Sequence, residues 1–348
     1  MEKRAFICGL EGLSLTEAER EFIARYQPWG AILFARNISS PPQIFDLCNT
    51  FRECLDDAEA PILIDQEGGR VQRIKPPNVR DYPPAAVYGR IYRQDAVAGV
   101  EAARLGAKLI GLDLMNLGIS GNCLPVLDMP HEDSDPVVGD RAFGPDADTI
   151  TTLGTAVISG LASSGVLPVI KHLPGHGRAL VDSHEQLPVV DCDLDELDAT
   201  DLVPFRLNAE RARLAMSAHI VFSAVDDAKP ATLSKRVIDR IIRGRIGYSG
   251  ALMTDDISMG ALTGSLAERT SEALAAGCDL VLHCNGVMGE MVEVAENSPV
   301  LSGDALARTQ EALDWQQQLP VETVTSPLQQ ALSARFDKLL EGFGEANA

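Results

Sequence analysis

The sequence predicts an α/β fold, a single (β/α)8 TIM-like barrel, and three observations carry that prediction. Short apolar runs rich in Val, Ile and Leu recur eight times along the 348 residues. Segments with helical apolar spacing lie between most of them. The Gly-x-Gly-x-x-Gly fingerprint that would follow the first strand of a doubly wound, dinucleotide-binding sheet is missing. Continuous apolar runs fit parallel strands buried on both faces. Eight such strands alternating with helices close into a barrel.

The elements follow in order. AFICGL (5–10) leads to TEAEREFIARY (16–26), where Thr16 can cap a helix with Glu19 three residues on. GAILFARN (30–37) precedes the helical PPQIFDLCNTFRECL (41–55). PILIDQEGG (61–69) is followed by AVAGVEAARLGAKLIGL (96–112), and CLPVLDM (123–129) by TITTLGTAVISGLASSG (149–165). The next runs are VLPVIKHLPG (166–175), LAMSAHIVF (214–222) and GALMTDD (250–256). SLAERTSEALAAG (265–277) ends in a glycine suited to a C-cap, and CDLVLHCN (278–285) closes the series. Residues 1–348 therefore read as one domain with its core at about 5–290 and some strands irregular. Residues 300–348 read as a polar helical extension packed on the outside.

Composition excludes several classes of function. The net charge of −20 repels nucleic acid and anionic membrane, and leaves a small molecule as the expected partner. No apolar run is long enough to cross a bilayer. The start, MEKRAFICGLEGLSL, has neither a sustained apolar segment nor a small-residue cleavage site, so no signal peptide is expected. Seven dispersed cysteines without a CxxC pair suggest reduced thiols in a cytoplasmic protein and argue against a thiolate zinc site.

In such barrels chemistry gathers at the C-terminal ends of the strands. Polar residues stand just past most of the runs: Asp65 with Glu67, Arg70 and Arg73; Asp128; Lys171 and His172; His219; Thr254, Asp255 and Asp256; His283 and Asn285. Together they predict a polar pocket for a hydroxyl-rich ligand, held by charge-assisted hydrogen bonds. Glycoside cleavage needs a carboxylate near the anomeric carbon and a proton donor near the leaving oxygen. Asp255 or Asp256 can supply the first, and strand alternation predicts that one of the two enters the pocket. His184 or His176 can supply the second.

The motifs KHLPGHGRALVDSHEQLP, IDQEGGRVQRI, VVGDRAFG, MSAHIVF and LMTDDISMGAL, in the order of the chain apart from the first, span most of residues 5–290. They resemble the β-N-acetylhexosaminidases of glycoside hydrolase family 3, and among these the bacterial cytoplasmic type of peptidoglycan recycling. The resemblance implies a retaining two-step mechanism releasing terminal N-acetylglucosamine from a muropeptide such as an N-acetylglucosaminyl-anhydro-muropeptide. By motif position it makes Asp255 the nucleophile and His184 the acid/base, partnered by Asp182. It assigns sugar binding to Asp65, Arg73, Arg141, Lys171 and His172, and implies no metal or organic cofactor. The chain departs from the family pattern at CLPVLDM, where FAPVLDV is expected, and at Met259-Gly260, where an acidic residue is expected before Gly-Ala. The expected oligomeric state is a monomer.

The stretch KHLPGHGRALVDSH holds three of the six histidines and invites a metal reading through His172, His176, Asp182 and His184. A Gly-Pro loop is a poor cage for a cation, and Lys171 would set a positive charge beside it. Histidine, with an ordinary pKa of about 6.5, can give and take a proton near neutral pH. In Asp-Ser-His the aspartate can orient the ring towards a glycosidic oxygen. The glycines of PGHG predict a flexible loop able to fold over substrate. A sugar-binding protein without activity is a third reading; it would be expected to lack the nucleophile or the dyad.

Overall fold

The computed structural model describes residues 2–319 and 325–343. Eight parallel strands form a closed barrel. They are β1 (Arg4–Gly9), β2 (Pro28–Leu33), β3 (Ile62–Ile64), β4 (Gly121–Asn122), β5 (Leu167–Leu173), β6 (Leu214–Ser217), β7 (Ala251–Asp256) and β8 (Leu280–His283). Each pairs with its neighbours in sequence, and β8 returns to β1.

Side-chain alternation sorts each strand into two cores. Phe6 and Cys8, Ala31 and Leu33, and Ile62 and Ile64 face the helices. Ile7, Ile32 and Leu63 face the barrel interior, where Val169, Met216, Met253 and Leu280 meet them. The strands are irregular, as the sequence leads one to expect. β4 is two residues long, because Pro125 has no N–H to extend the ladder. The run after it stays tied to β5 by an isolated bridge between Val126 and Lys171 and by the Val169 N–H, which donates to the Leu124 carbonyl at 3.2 Å.

The helices run outside the strands. α1 (Glu17–Tyr26) has the Thr16–Glu19 capping box the sequence predicts, and α2 (Pro41–Leu55) follows β2. Between β3 and β4 stand α3 (Ala85–Gln94) and α4 (Ala96–Asn116), the first of them absent from the sequence reading. α5 (Ala147–Ala162) connects β4 to β5; α6 (Leu194–Ala199) and α7 (Leu202–Asn208) connect β5 to β6. The β6–β7 connection is α8 (Lys235–Val237), continued by a π-helical stretch, Ile238–Arg245. α9 (Leu266–Ala276) ends at Gly277, whose φ of 119° is left-handed, and α10 (Met288–Asn297) follows β8.

α11 (Gly303–Gln317) packs on the barrel by one face, with Thr309 and Ala312 buried and its other residues exposed or half-buried. It closes the N-terminal end of the barrel. Ala312, Leu313 and Trp315 pack into the interior core, and the Gln316 side-chain amide donates to the carbonyls of Ser120 and Gly165 at 2.7 and 2.8 Å. α12 (Ser326–Gly342) buries Phe336 beside Tyr82 and Tyr88. Both helices lie within the predicted extension, of which 320–324 and 344–348 fall outside the described residues.

Candidate active site

A cavity of about 450 Å³ opens at the C-terminal mouth of the barrel. All eight residues to which the family resemblance gives a role line it: Asp65, Arg73, Arg141, Lys171, His172, Asp182, His184 and Asp255. They come from the ends of β3, β5 and β7 and from the loops after β3, β4 and β5.

The floor is a cluster of charges with each carboxylate doubly engaged. Asp65 accepts from Lys171 Nζ at 2.8 Å and from Arg73 at 2.9 Å. Glu67 takes a bidentate bond from Arg141, both arms 2.8 Å, and Lys171 Nζ at 2.7 Å. Burial by itself would raise the Asp65 and Glu67 carboxyls, but Lys171 with Arg73 or Arg141 outweighs it and holds both below the usual range. The same two carboxylates push the Lys171 ammonium up against the desolvation that would lower it. The cluster is therefore charged at neutral pH, and Lys171, 2% exposed, is held rigidly. Glu67 carries as much of this network as Asp65; its place beside Gly68-Gly69 in the DQEGGR stretch was the signal for it.

Asp128 lies beneath the cavity, fully buried. Its Oδ2 is 2.7 Å from His172 Nδ1, and its Oδ1 accepts the main-chain N–H groups of His172 and His176 at 3.1 and 2.7 Å. Burial opposes ionisation here too, but His172 and these donors bring the Asp128 carboxyl down to about 2. Lys171 and His172 are consecutive yet both reach the cavity, because the β5–β6 register shifts between Ile170 and Leu173.

A similar shift between Met253 and Asp256 overturns the expectation that only one of Asp255 and Asp256 would enter. Both stand at the cavity wall, but they differ in engagement. The Asp256 carboxylate accepts from Ser258 N and Oγ at 3.1 and 2.8 Å and from Cys284 N at 3.2 Å. Asp255 accepts one hydrogen bond, from the Asp256 N–H at 2.8 Å. Burial would raise its carboxyl; His172 and His219 prevail and lower it. Of the cavity carboxylates among the described residues, Asp255 alone has no side-chain hydrogen-bond partner.

His219, expected in the pocket, is buried with both ring nitrogens engaged, Nδ1 with Thr232 Oγ1 at 2.8 Å and Nε2 with the Asp256 carbonyl at 3.0 Å. Thr254 accepts from Leu282 N, and His283 pairs with Glu290. None of the three lines the cavity. Strand-end polarity marks the right end of the barrel without separating residues that face solvent from those that brace the strands. The apolar wall formed by Phe34, Met216 and Met259 was not legible, since such residues read as ordinary core.

The Asp182-Ser183-His184 tripeptide sits on the loop after β5. Asp182 Oδ1 is 2.7 Å from His184 Nδ1 and accepts the His184 N–H at 2.9 Å, leaving Nε2 without a protein partner among the described residues. The loop is tied down more than its glycines predict. Gly177 packs against the backbone of Met129, where a Cβ would come within 1.8 Å of the Met129 carbonyl oxygen. Gly260, where the chain departs from the family pattern, donates to the His184 carbonyl at 3.3 Å. Among the described residues no three His, Cys, Asp or Glu side chains gather as a metal-ligand set; His172, His176 and His184 each spend a ring nitrogen on a different neighbour.

Comparison with known proteins gives the family and the fold. Residues 7–312 match the glycosyl hydrolase family 3 N-terminal domain. The chain is 37% identical over 277 residues to a beta-hexosaminidase of Aromatoleum aromaticum, covering 79% of this chain and 77% of that one. Over 276 residues it is 37% identical to a beta-hexosaminidase of Pseudomonas aeruginosa, covering 79% and 80%. The crystal structure of NagZ from Neisseria gonorrhoeae in complex with N-trifluoroacetyl-D-glucosamine superposes with a TM-score of 0.85 at 29% identity over 99% of both chains. A family 3 beta-N-acetylglucosaminidase from Paenibacillus sp. gives 0.84 at 30% identity, covering 96% of this chain and 67% of that one. The chain belongs to glycosyl hydrolase family 3 and is an enzyme of the glycosidase class.

Proposed function

We propose that the chain is a retaining exo-β-N-acetylglucosaminidase that removes non-reducing terminal N-acetylglucosamine through a covalent glycosyl-enzyme. The observation that carries this reading is the contrast at the end of β7: the Asp256 carboxylate is held by Ser258 and by the Cys284 N–H, whereas Asp255 faces the cavity ionised and without a side-chain partner.

Asp255 attacks the anomeric carbon as the glycosidic C–O bond breaks. His184 Nε2 gives its proton to the departing oxygen, with Nδ1 held by Asp182. Water then attacks the glycosyl ester, His184 takes the water proton, and Asp255 leaves as carboxylate. Asp65, Arg73, Arg141, Lys171 and His172 hold the sugar hydroxyls. Their rigidity supports the reading, since charges fixed in advance need no reorganisation during the reaction.

A muropeptide of peptidoglycan recycling is the proposed natural substrate, in the cytoplasm and with a monomeric enzyme. The relatives named above support a hexosaminide substrate, and the net charge of −20 and the seven unpaired cysteines support the cytoplasmic setting. Among the described residues no helix is long and apolar enough to cross a membrane. The test is product analysis on 4-nitrophenyl N-acetyl-β-glucosaminide, with and without phosphate. The proposal expects free N-acetylglucosamine of β configuration in both. A glycosyl phosphate would make the enzyme a phosphorylase, an α product would make it inverting, and no turnover would make it a binding protein.

A further inference from the structure

The ring of His184 is 64% exposed, so packing does not hold it in place. Its position depends on the backbone of residues 182–184 and on Asp182, itself one-third exposed. Among the described residues, one side chain from outside this tripeptide hydrogen-bonds to it: His176 Nε2 stands 2.9 Å from Ser183 Oγ. Both partners are buried, His176 at 4% and Ser183 at 2% exposure. The main-chain N–H of His176 is anchored 2.7 Å from Asp128 Oδ1. The same carboxylate holds the His172 ring, and the two imidazoles meet edge to face at 5.6 Å.

His176 does not line the cavity, and burial with the neighbouring His172 pushes its imidazole down to about 4. It is neutral at working pH and cannot be the proton donor. Its Nδ1 is buried without a partner. The tautomer with the proton on Nε2 leaves a bare lone pair there, which costs less than a buried N–H with no acceptor. Nε2–H then donates to Ser183 Oγ, a fixed strut between the buried floor and the exposed dyad.

We infer that His176 is the positioning residue of the acid/base: through Ser183 it sets the height of the Asp182–His184 pair over the sugar-holding His172, with Asp128 as the shared base of both. This rests on the reading of His184 as acid/base. A strut of this kind matters where proton delivery limits the rate. A sugar alkoxide needs the proton to leave; a dinitrophenolate does not.

The experiment measures His176→Ala, His176→Gln, Ser183→Ala and His184→Ala on an N-acetylglucosaminyl disaccharide and on the dinitrophenyl β-glycoside, with inhibition by N-acetylglucosamine as the binding readout. His184→Ala should lose about 10²–10⁴-fold on the disaccharide, the worth of general acid catalysis, and far less on the aryl substrate. Ser183→Ala and His176→Ala should show the same split at about 10-fold or more, with the inhibition constant unchanged. His176→Gln, which keeps a terminal N–H, should recover part of the loss. Ser183→Ala decides the matter if His176→Ala does not fold. Equal losses on both substrates, or none, while His184→Ala keeps its split, would overturn the inference and leave the mechanism standing. No split in His184→Ala would overturn the mechanism itself.

Discussion

Asp255 and Asp256 are chemically identical and adjacent, and their surroundings alone separate them. Asp255→Ala should abolish turnover of 4-nitrophenyl N-acetyl-β-glucosaminide below detection. Asp256→Asn, whose amide oxygen can still accept from Ser258 N and Cys284 N, should fold and retain partial activity. A 5-fluoro sugar that traps the covalent intermediate should label Asp255 on peptide mapping; label on Asp256 would reverse the assignment. Lys171 gives a second prediction at this scale. Replacing it by Met leaves two buried carboxylates short of a cation, and removing one partner of a buried pair costs about 3–5 kcal/mol. Guanidinium unfolding of Lys171→Met should show a loss near the low end of that range, because Arg73 and Arg141 remain. A loss below about 1 kcal/mol would mean that water already reaches the cluster. Asp65, Lys171 and His172 were legible because they follow apolar runs directly. Asp128 follows one too, but whether a strand-end carboxylate faces the cavity or lies beneath it depends on where the next loop folds back, which no local pattern records.

Among the elements, the short hairpin after β3, Gln66–Gly68 with Val71–Gln72, carries Glu67, Arg70 and Arg73 to the cavity. Its own ladder is too short to be stable alone. Side-chain amides hold it instead: Gln66 exchanges bonds with the main chain of Ile74, and Gln72 donates to the carbonyls of Ile74 and Arg80 and accepts from Tyr82 N. Gln72→Leu should cost about 1–3 kcal/mol for the main-chain groups left unpaired. It should raise KM on the aryl glycoside more than it lowers kcat, since the hairpin bears sugar-holding groups and not the reacting ones. A fall in kcat with KM unchanged would count against that division. The barrel strands and the capped helices α1 and α9 were legible from periodicity and terminal signals. The hairpin and α3 were not: the first has no apolar run, and the second is short and follows Pro83-Pro84.

For the whole molecule, the carboxylates of the site and His176 act together on the acid side, against the half-buried Asp113, whose carboxyl burial raises. Asp65 and Asp128 hold protons more weakly folded than unfolded, where a carboxyl titrates at about 3.9. Their stabilisation is present above that pH and is lost as pH falls through the folded value, about 2 for Asp128. His176 is depressed from 6.5 to about 4, so the folded state also loses ground as pH falls between those values. Unfolding free energy should be flat near pH 7, decline below about 6.5, and fall more steeply below about 4. Stepwise guanidinium titrations would show it, and His176→Gln should shrink the first decline; a wild-type curve flat down to pH 4 would refute the scheme. The barrel itself was legible from eight runs, but its floor was not, because α11 reads as a polar surface helix whose buried side is a narrow stripe of Ala305, Thr309, Ala312, Leu313 and Trp315. β1 is seated from the same direction: Ala5 N donates to the Pro299 carbonyl at 2.9 Å and Leu301 N to that of Lys3 at 2.8 Å. During synthesis the first strand therefore emerges long before the segment that seats it. The nascent barrel stays open at its base until residues 299–316 have left the ribosome, and over that interval its apolar interior is exposed to whatever chaperones attend the tunnel exit.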